Sequence, residues 1–385
     1  MTRLLEPSEA YHAMLDWSTG FSVEMAVEVT PEAAVAGLDR LYATLPGLGD
    51  RIVRTDDGFA FGAPQTAPKA EASGAVAQVD ATVSTFRVDT ARPGVTVVSG
   101  RLHHALGDVT AILSVIDHLL GLLGIEPGAG SIPADAGRQW PIAAERALGR
   151  TQPEDEVRPV RLFFSGASTP PLKPAQPVTL HLDAARVRAL DDVCAAEDSS
   201  LTSVIAIAAA RHLVGAEDVV VGAPVDCRVF LDPGQAALTP PRAVGNCSHG
   251  ALVTVPGTAG TLAEVLSAAR GCDEELMAAL EEGAPCAPFL DGRQYLPENN
   301  AGAHLVVSNA RGATRRLPRL AAAHKVFLLP ESSIPGLPMI AVNESPASGD
   351  VDITLIADPA DHAQDDARAV VDALANTLTE IRERQ

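Results

Sequence analysis

Between residues 125 and 177 the chain loses the periodic hydrophobic pattern that surrounds it. "EPGAGSIPADAGRQWP" (126–141) and "STPPLKPAQP" (168–177) are dense in glycine and proline, which interrupt helices and strands and suit a connection between folded units. Such a break divides the chain into two halves, each of which must build a core. The sequence has 385 residues, enough for two, since single cores stop growing near roughly 250 to 300 residues. The expected organisation is an N-terminal lobe over 1–150, a connection over 151–177 and a C-terminal lobe over 178–385.

Both halves mix strands and helices. In the first, "FSVEMAVEV" (21–29) alternates as a half-buried strand does, and "PEAAVAGLDRLYATL" follows with a proline suited to a first helical turn. In the second, "VTLHL" predicts a strand, "DAARVRALDDVCAAED" a helix with Asp183 as its N-cap, and "SLTSVIAIAAARHLV" a buried helix. The end of the chain predicts three strands, "KVFLLP", "PMIAVNES" and "DVDITLIAD", and a closing helix. The fold class expected is α+β, two similar lobes with a cleft between them.

Charge narrows the partners. Lys plus Arg number 29 against 49 Asp plus Glu, a formal net charge of −20, which opposes contact with phosphate backbones and anionic membranes. No apolar run approaches the roughly 20 residues of a membrane span, and "MTRLLEPSEAYHAML" lacks a signal-peptide pattern. A cytoplasmic monomer that binds no nucleic acid is expected. Five cysteines, Cys194, Cys227, Cys247, Cys272 and Cys286, show no C-x-x-C pair and are expected to be reduced thiols without a role.

Against this background, "VTVVSGRLHHALGDVTAILSVIDHLL" (95–120) places two histidines in a loop between a strand and an apolar helix. One reading is structural: Asp108 caps the free N–H groups of the helix and His103 and His104 fill a turn. A metal site would need more ligands than His103, His104 and Asp108 supply, and none is expected. The chemical reading is that a neutral imidazole at a strand end takes a proton from a hydroxyl or amine attacking a carbonyl already activated as a thioester.

The residues His103 to Asp108, "HHALGD", resemble the H-H-x-x-x-D-G motif of the acyl-CoA-dependent acyltransferase superfamily, which includes chloramphenicol acetyltransferase, the condensation domains of nonribosomal peptide synthetases and polyketide-associated acyltransferases. "VVVGAPVDCRVFLDP" is similar to that family's P-V-D-x-R segment, "VGNCSHGALV" to its G-N strand and "LVVSNARG" to its V-S-N-x-G strand, in the family's order. The resemblance implies two chloramphenicol-acetyltransferase-like lobes, each a mixed sheet with helices, forming a V-shaped pseudo-dimer with a tunnel at the interface. It implies that His104 is the general base, that His103 supports the loop, and that Asp108 pairs with Arg228. It also implies an acyl-CoA or acyl-carrier-protein thioester as donor, a small alcohol or amine as acceptor, and no resident cofactor. Ester formation in lipid, polyketide or other secondary metabolism is expected; an amide-forming condensation enzyme and a catalytically silent carrier-binding relative are the alternatives. The family's glycine after the aspartate is Val109 here, which either narrows the tunnel or packs.

Two further groups of residues stand out. Ser308 and Asn309, on "LVVSNARG", are candidate donors to the oxyanion of a tetrahedral intermediate, with closure of a turn as the competing role for Asn309. "RGATRRLPRLAAAHK" holds Arg311, Arg315, Arg316, Arg319 and Lys325 with no acidic residue, a local reversal of sign that suits the phosphates of coenzyme A or an acidic carrier protein. "SGAS" (165–168) and "SHG" (248–250) do not match the G-x-S-x-G elbow of serine hydrolases.

Overall fold

The computed structural model describes residues 3–5, 7–56, 58–125, 173–174, 176–213, 218–226, 228, 245–246, 248–256, 261–281, 304–333, 337–357 and 364–383. The connection expected over 151–177 lies almost wholly outside the described residues, as do Cys227, Cys247 and Cys286.

The N-terminal half comprises β1 (Arg3–Leu4), α1 (Pro7–Leu15), β2 (Ser18–Met25), α2 (Pro31–Thr44), β3 (Arg51–Thr55), β4 (Gly58–Gly62), β5 (Glu71–Ser73), β6 (Val76–Asp80), β7 (Ser84–Asp89), β8 (Thr96–His103) and α3 (Val109–Leu122). The rest comprises β9 (Lys173–Pro174), β10 (Gln176–Leu182), α4 (Ala184–Ala196), α5 (Leu201–Leu213), β11 (Val219–Asp226), β12 (Ser248–Val255), α6 (Leu262–Glu281), β13 (Leu305–Asn309), α7 (Arg311–Arg315), β14 (Lys325–Pro330), β15 (Ser332–Ser333), β16 (Met339–Ser345), β17 (Asp350–Ala357) and α8 (Gln364–Arg382).

Local chemistry sets several boundaries. Thr30 Oγ1 accepts from Ala33 N at 3.2 Å ahead of Pro31, Asp108 Oδ1 accepts from Ala111 N at 2.9 Å, and Asp183 Oδ1 accepts from Arg186 N at 2.9 Å, so α2, α3 and α4 each start at a side-chain cap. The alternation expected of "FSVEMAVEV" appears in β2, where Thr19, Phe21, Val23 and Met25 are buried and their neighbours partly exposed.

Two six-stranded sheets result. The first has the order β14-β2-β8-β7-β6-β5 and the second β10-β17-β16-β13-β11-β12, with β13 parallel to both β11 and β16 and the other pairs antiparallel. One core packs α2 and α3 on the first sheet, and a second packs α4, α5, α6 and α8 on the other. Cys194 and Cys272 are buried in the second core, and burial pushes their thiols up to about 11 and about 12. A smaller cluster, with Leu15 and Trp17 from one side and Val306, Met339, Ala341 and Ile356 from the other, joins the lobes.

One strand crosses the boundary read from the sequence. "KVFLLP", grouped above with the second half, is β14 and pairs antiparallel with β2, from Lys325 opposite Glu24 to Pro330 opposite Thr19. Residues 310–328 follow it: Ala310, Leu317, Leu320 and Val326 belong to the first lobe's core. Buried Asn343 on β16 then links the sheets, its Oδ1 accepting from Leu328 N at 3.0 Å and its Nδ2 donating to Leu328 O at 2.9 Å. An amide is the side chain able to pair with both the N–H and C=O of an edge strand.

Strand alternation then decides what faces the junction. On β13, Leu305 and Val307 point to the second lobe's helices while Val306 and Ser308 face the cleft. On β16, Ile340 packs under the helices while Met339, Ala341 and Asn343 line the cleft.

Candidate functional site

A cavity of about 380 Å³ lies at this junction. The loop after β8 supplies His104 and Asp108, and α3 its first residue Val109; β11 and β12 supply Asp226 and Ser248; β13 supplies Ser308 and Asn309, and the C-cap of α7 supplies Arg316. Residues far apart in the sequence therefore meet where the lobes meet, the usual place for a ligand site.

The two histidines face different surroundings. The ring of buried His103 accepts at Nδ1 from Ala105 N at 3.1 Å, so its proton sits on Nε2, which lies 3.5 Å from Asp16 Oδ1. Asp16 occupies the turn between α1 and β2 with φ 50°, a left-handed conformation uncommon outside glycine. The His103 contact holds its carboxyl below the ordinary range. His103 thus ties the loop to the α1–β2 turn and points away from the cavity's lining.

His104 is anchored through its backbone and covered on its faces. Its N–H donates to Trp17 O at 2.7 Å, and its ring stacks on His12 at 4.2 Å (22°) and on Trp17 at 5.3 Å (26°). Asn246 Nδ2 donates to His104 O at 3.1 Å and also lies 3.1 Å from Nδ1. A ring protonated on Nδ1 hydrogen-bonds its own carbonyl and leaves Nε2 as the acceptor; a ring protonated on Nε2 instead takes an Asn246 N–H on Nδ1. The first tautomer is the one that can accept a proton from a substrate.

Burial pushes the His104 pKa down to about 4, although the carboxylate of Asp108 works in the opposite direction. His12, fully enclosed, is held well below 6.5 by the same burial and by the neighbouring His104 and His103. Both rings are therefore neutral at pH 7. The unfolded chain takes up protons on these rings below about pH 6.5, whereas folded His104 does so only near 4. Stability is fully present above 6.5 and is lost as pH falls towards 4. His104 alone accounts for at most about 3 kcal/mol, less where water in the cavity reaches its exposed edge. Denaturant titrations at pH 7 and pH 4.5 should show this loss, and His104→Ala should reduce it; an equal loss in the variant would contradict the assignment.

Asp108 is committed elsewhere. Besides capping α3, its Oδ2 accepts from Arg228 Nη1 at 2.8 Å. The same guanidinium, 1% exposed, donates to Asp226 Oδ1 at 2.8 Å and, through Nη2, to Gly245 O at 2.8 Å. Asp226 Oδ2 accepts in turn from Thr110 Oγ1 at 3.0 Å. The start of α3 in one lobe is thereby joined to the end of β11 in the other.

The remaining predicted residues separate. Ser308 lines the cavity. Asn309 lines it too, but its amide donates to Thr202 Oγ1 at 2.6 Å and accepts from Arg311 N at 2.9 Å, closing the turn into α7. Most of the basic patch is not free for a ligand. Arg311 pairs with Asp191 (2.7 and 3.1 Å), Arg315 with buried Glu344, Arg319 with Asp117 (3.1 Å) and Lys325 with Asp352 (3.7 Å). Val109 lines the cavity and packs against the first lobe's core.

Sequence reasoning missed His12, Trp17, Asn246 and Ser248. Ser248 was weighed only as a hydrolase nucleophile; its N–H and Oγ both meet Asn246 Oδ1 at 3.3 Å, so one amide holds Ser248 and the backbone of His104 together. Its signal is "GNCS", in the segment that resembles the family's G-N strand but from which no site residue was singled out. Among the described residues no single helix is long and apolar enough to cross a membrane.

No family model matches the chain, and no curated protein matches it. Solved structures do. Polyketide synthase associated protein 5 from Mycobacterium tuberculosis is 18% identical, with 98% of this chain and 97% of that chain covered and a TM-score of 0.70. The first condensation domain of the CDA synthetase is 15% identical over 99% and 96% of the two chains, at 0.65. Trichothecene 15-O-acetyltransferase from Fusarium sporotrichioides is 12% identical over 99% and 96%, at 0.66. The chain shares the two-lobed, chloramphenicol-acetyltransferase-like fold of these structures.

Proposed function

We propose that this chain is an acyltransferase that moves an acyl group from a coenzyme A or carrier-protein thioester to the hydroxyl of a small acceptor. The observation that carries the reading is the neutral imidazole of His104, held against His12, Trp17 and Asn246 at the wall of the cavity between the lobes. The acceptor's O–H bond breaks as Nε2 of His104 takes the proton and the new C–O bond forms. The tetrahedral intermediate then expels the thiolate, which recovers the proton from the imidazolium. Asp108, whose charge favours the protonated ring, steadies that imidazolium without itself exchanging a proton.

The oxyanion needs a donor, and we assign it to Ser248, whose hydroxyl would turn from its long 3.3 Å bond to Asn246 Oδ1 towards the oxyanion, because the amide that positions Ser248 also positions His104. Ser248→Ala is expected to lower kcat about 10²- to 10³-fold with KM little changed; a larger loss in Ser308→Ala than in Ser248→Ala would move the assignment to β13. The polyketide-synthase-associated protein and the condensation domains among the structural neighbours support a place in secondary metabolism. The reading is tested by incubating the protein with acyl thioesters and candidate acceptors and weighing the products. An alkali-labile ester supports it, an amide replaces the acceptor class, and thioester binding without turnover replaces the enzyme with a carrier-binding relative.

A further inference from the structure

The basic segment 311–325 contains one cation that differs from the rest. Arg311, Arg315, Arg319 and Lys325 each meet a carboxylate, three of them on the second lobe and Asp117 on α3. The Arg316 side chain makes no ion pair or hydrogen bond among the described residues, its backbone N–H alone donating to Ala313 O at 3.3 Å, and of the five it alone lines the cavity that holds His104. It is exposed, so it stands at the mouth. Its guanidinium folds back one turn along α7: an ideal Cβ on Gly312 would lie 3.7 Å from Nη2, and Gly312 lines the same cavity. The hydroxyl of Ser308, another lining group without a side-chain partner among the described residues, faces the same space.

The two carboxylates that line the cavity among the described residues are already engaged. Asp108 serves Arg228 and the α3 cap, and Asp226 serves Arg228 and Thr110. In a chain of net charge −20, an unengaged guanidinium at a cavity mouth creates local attraction for an anion where the surrounding surface repels one. Its planar fork matches the oxygens of a carboxylate or phosphate.

We infer that Arg316 is the anion-recognition residue of this cavity, and that one substrate carries an oxyanionic group, a carboxylate or a phosphate, to the mouth beside α7. The inference rests on the acyl-transfer reading of the cavity, and its test reads binding rather than turnover. In a His104→Ala background, the affinities of butyryl-CoA, S-butyryl-N-acetylcysteamine and S-succinyl-N-acetylcysteamine are measured by calorimetry with Arg316, Arg316→Met and Arg316→Lys. Loss of about 10- to 100-fold on Arg316→Met, confined to butyryl-CoA, identifies a donor phosphate; the same loss confined to the succinyl thioester identifies a carboxylate. In either case Arg316→Lys recovers part of the loss and the neutral thioester is unaffected. Unchanged affinity for both anionic probes, an equal loss for the neutral one, or no binding of either anionic probe to the Arg316 protein would overturn the inference. A protein that binds but never transfers an acyl group refutes the proposed reaction and leaves this result standing.

Discussion

Arg228→Ala is expected to cost about 3–5 kcal/mol of folding stability, the largest effect of any single substitution discussed here. The guanidinium is 1% exposed and the Asp108 side chain 4% exposed, and its loss takes a cationic partner from the buried Asp108 carboxylate and leaves the Gly245 carbonyl with the longer bond from Asp108 N at 3.4 Å. Asp108→Ala should cost less. Arg228 would keep Asp226 as a partner, and the losses would be the α3 cap, about 1 kcal/mol, and one of two ionic contacts. Arg228→Lys should fall between wild type and Arg228→Ala, because an ammonium replaces the charge but cannot serve Asp108, Asp226 and Gly245 with one planar fork. The double-mutant cycle of Asp108 and Arg228, followed by denaturant unfolding, should give a clear coupling energy. Additive costs would show that the two groups do not act together.

His104→Ala is expected to have the opposite profile, removing turnover while sparing the fold. A positioned general base contributes about 10²- to 10⁴-fold, and His104 meets no carboxylate whose burial depends on it. Its backbone contacts to Trp17 and Asn246 do not require the ring. The variant should therefore unfold at pH 7 close to wild type while transferring acyl groups at least a hundredfold more slowly. Because the folded pKa is about 4, the base remains unprotonated well below pH 6.5, and the acid limb of kcat/KM should fall near pH 4 to 5. A limb near 6.5 would mean that His104 is not held neutral by burial during turnover.

Local features were legible in the sequence. The strand, loop and helix around "HHALGD" follow from the alternation of β8, the Asp108 cap and the apolar stripe of α3, all between Thr96 and Leu122. Resemblance to a known motif paired Asp108 with Arg228, which spacing alone could not have done across 120 residues. What escaped was partner choice. "KVFLLP" reads as a strand wherever it goes, and nothing in its six residues says that its neighbour is β2 rather than β16. The basic segment looked like a docking patch because the acids that neutralise Arg311, Arg315 and Arg319 lie 120, 29 and 202 residues away. His12 and Trp17 gave no periodic signal as partners of His104; they reach it through the turn at Asp16, whose backbone conformation a sequence pattern does not display.

The central claim is that the neutral imidazole at the lobe junction accepts the acceptor's proton. It is tested most directly by following thiol release and acylated product together, with one acyl thioester and one acceptor, for wild type and His104→Ala at pH 7. The account predicts that wild type yields an acylated acceptor and thiol in equal amounts and that the folded variant yields neither at a comparable rate. Acyl transfer by His104→Ala at the wild-type rate would contradict it.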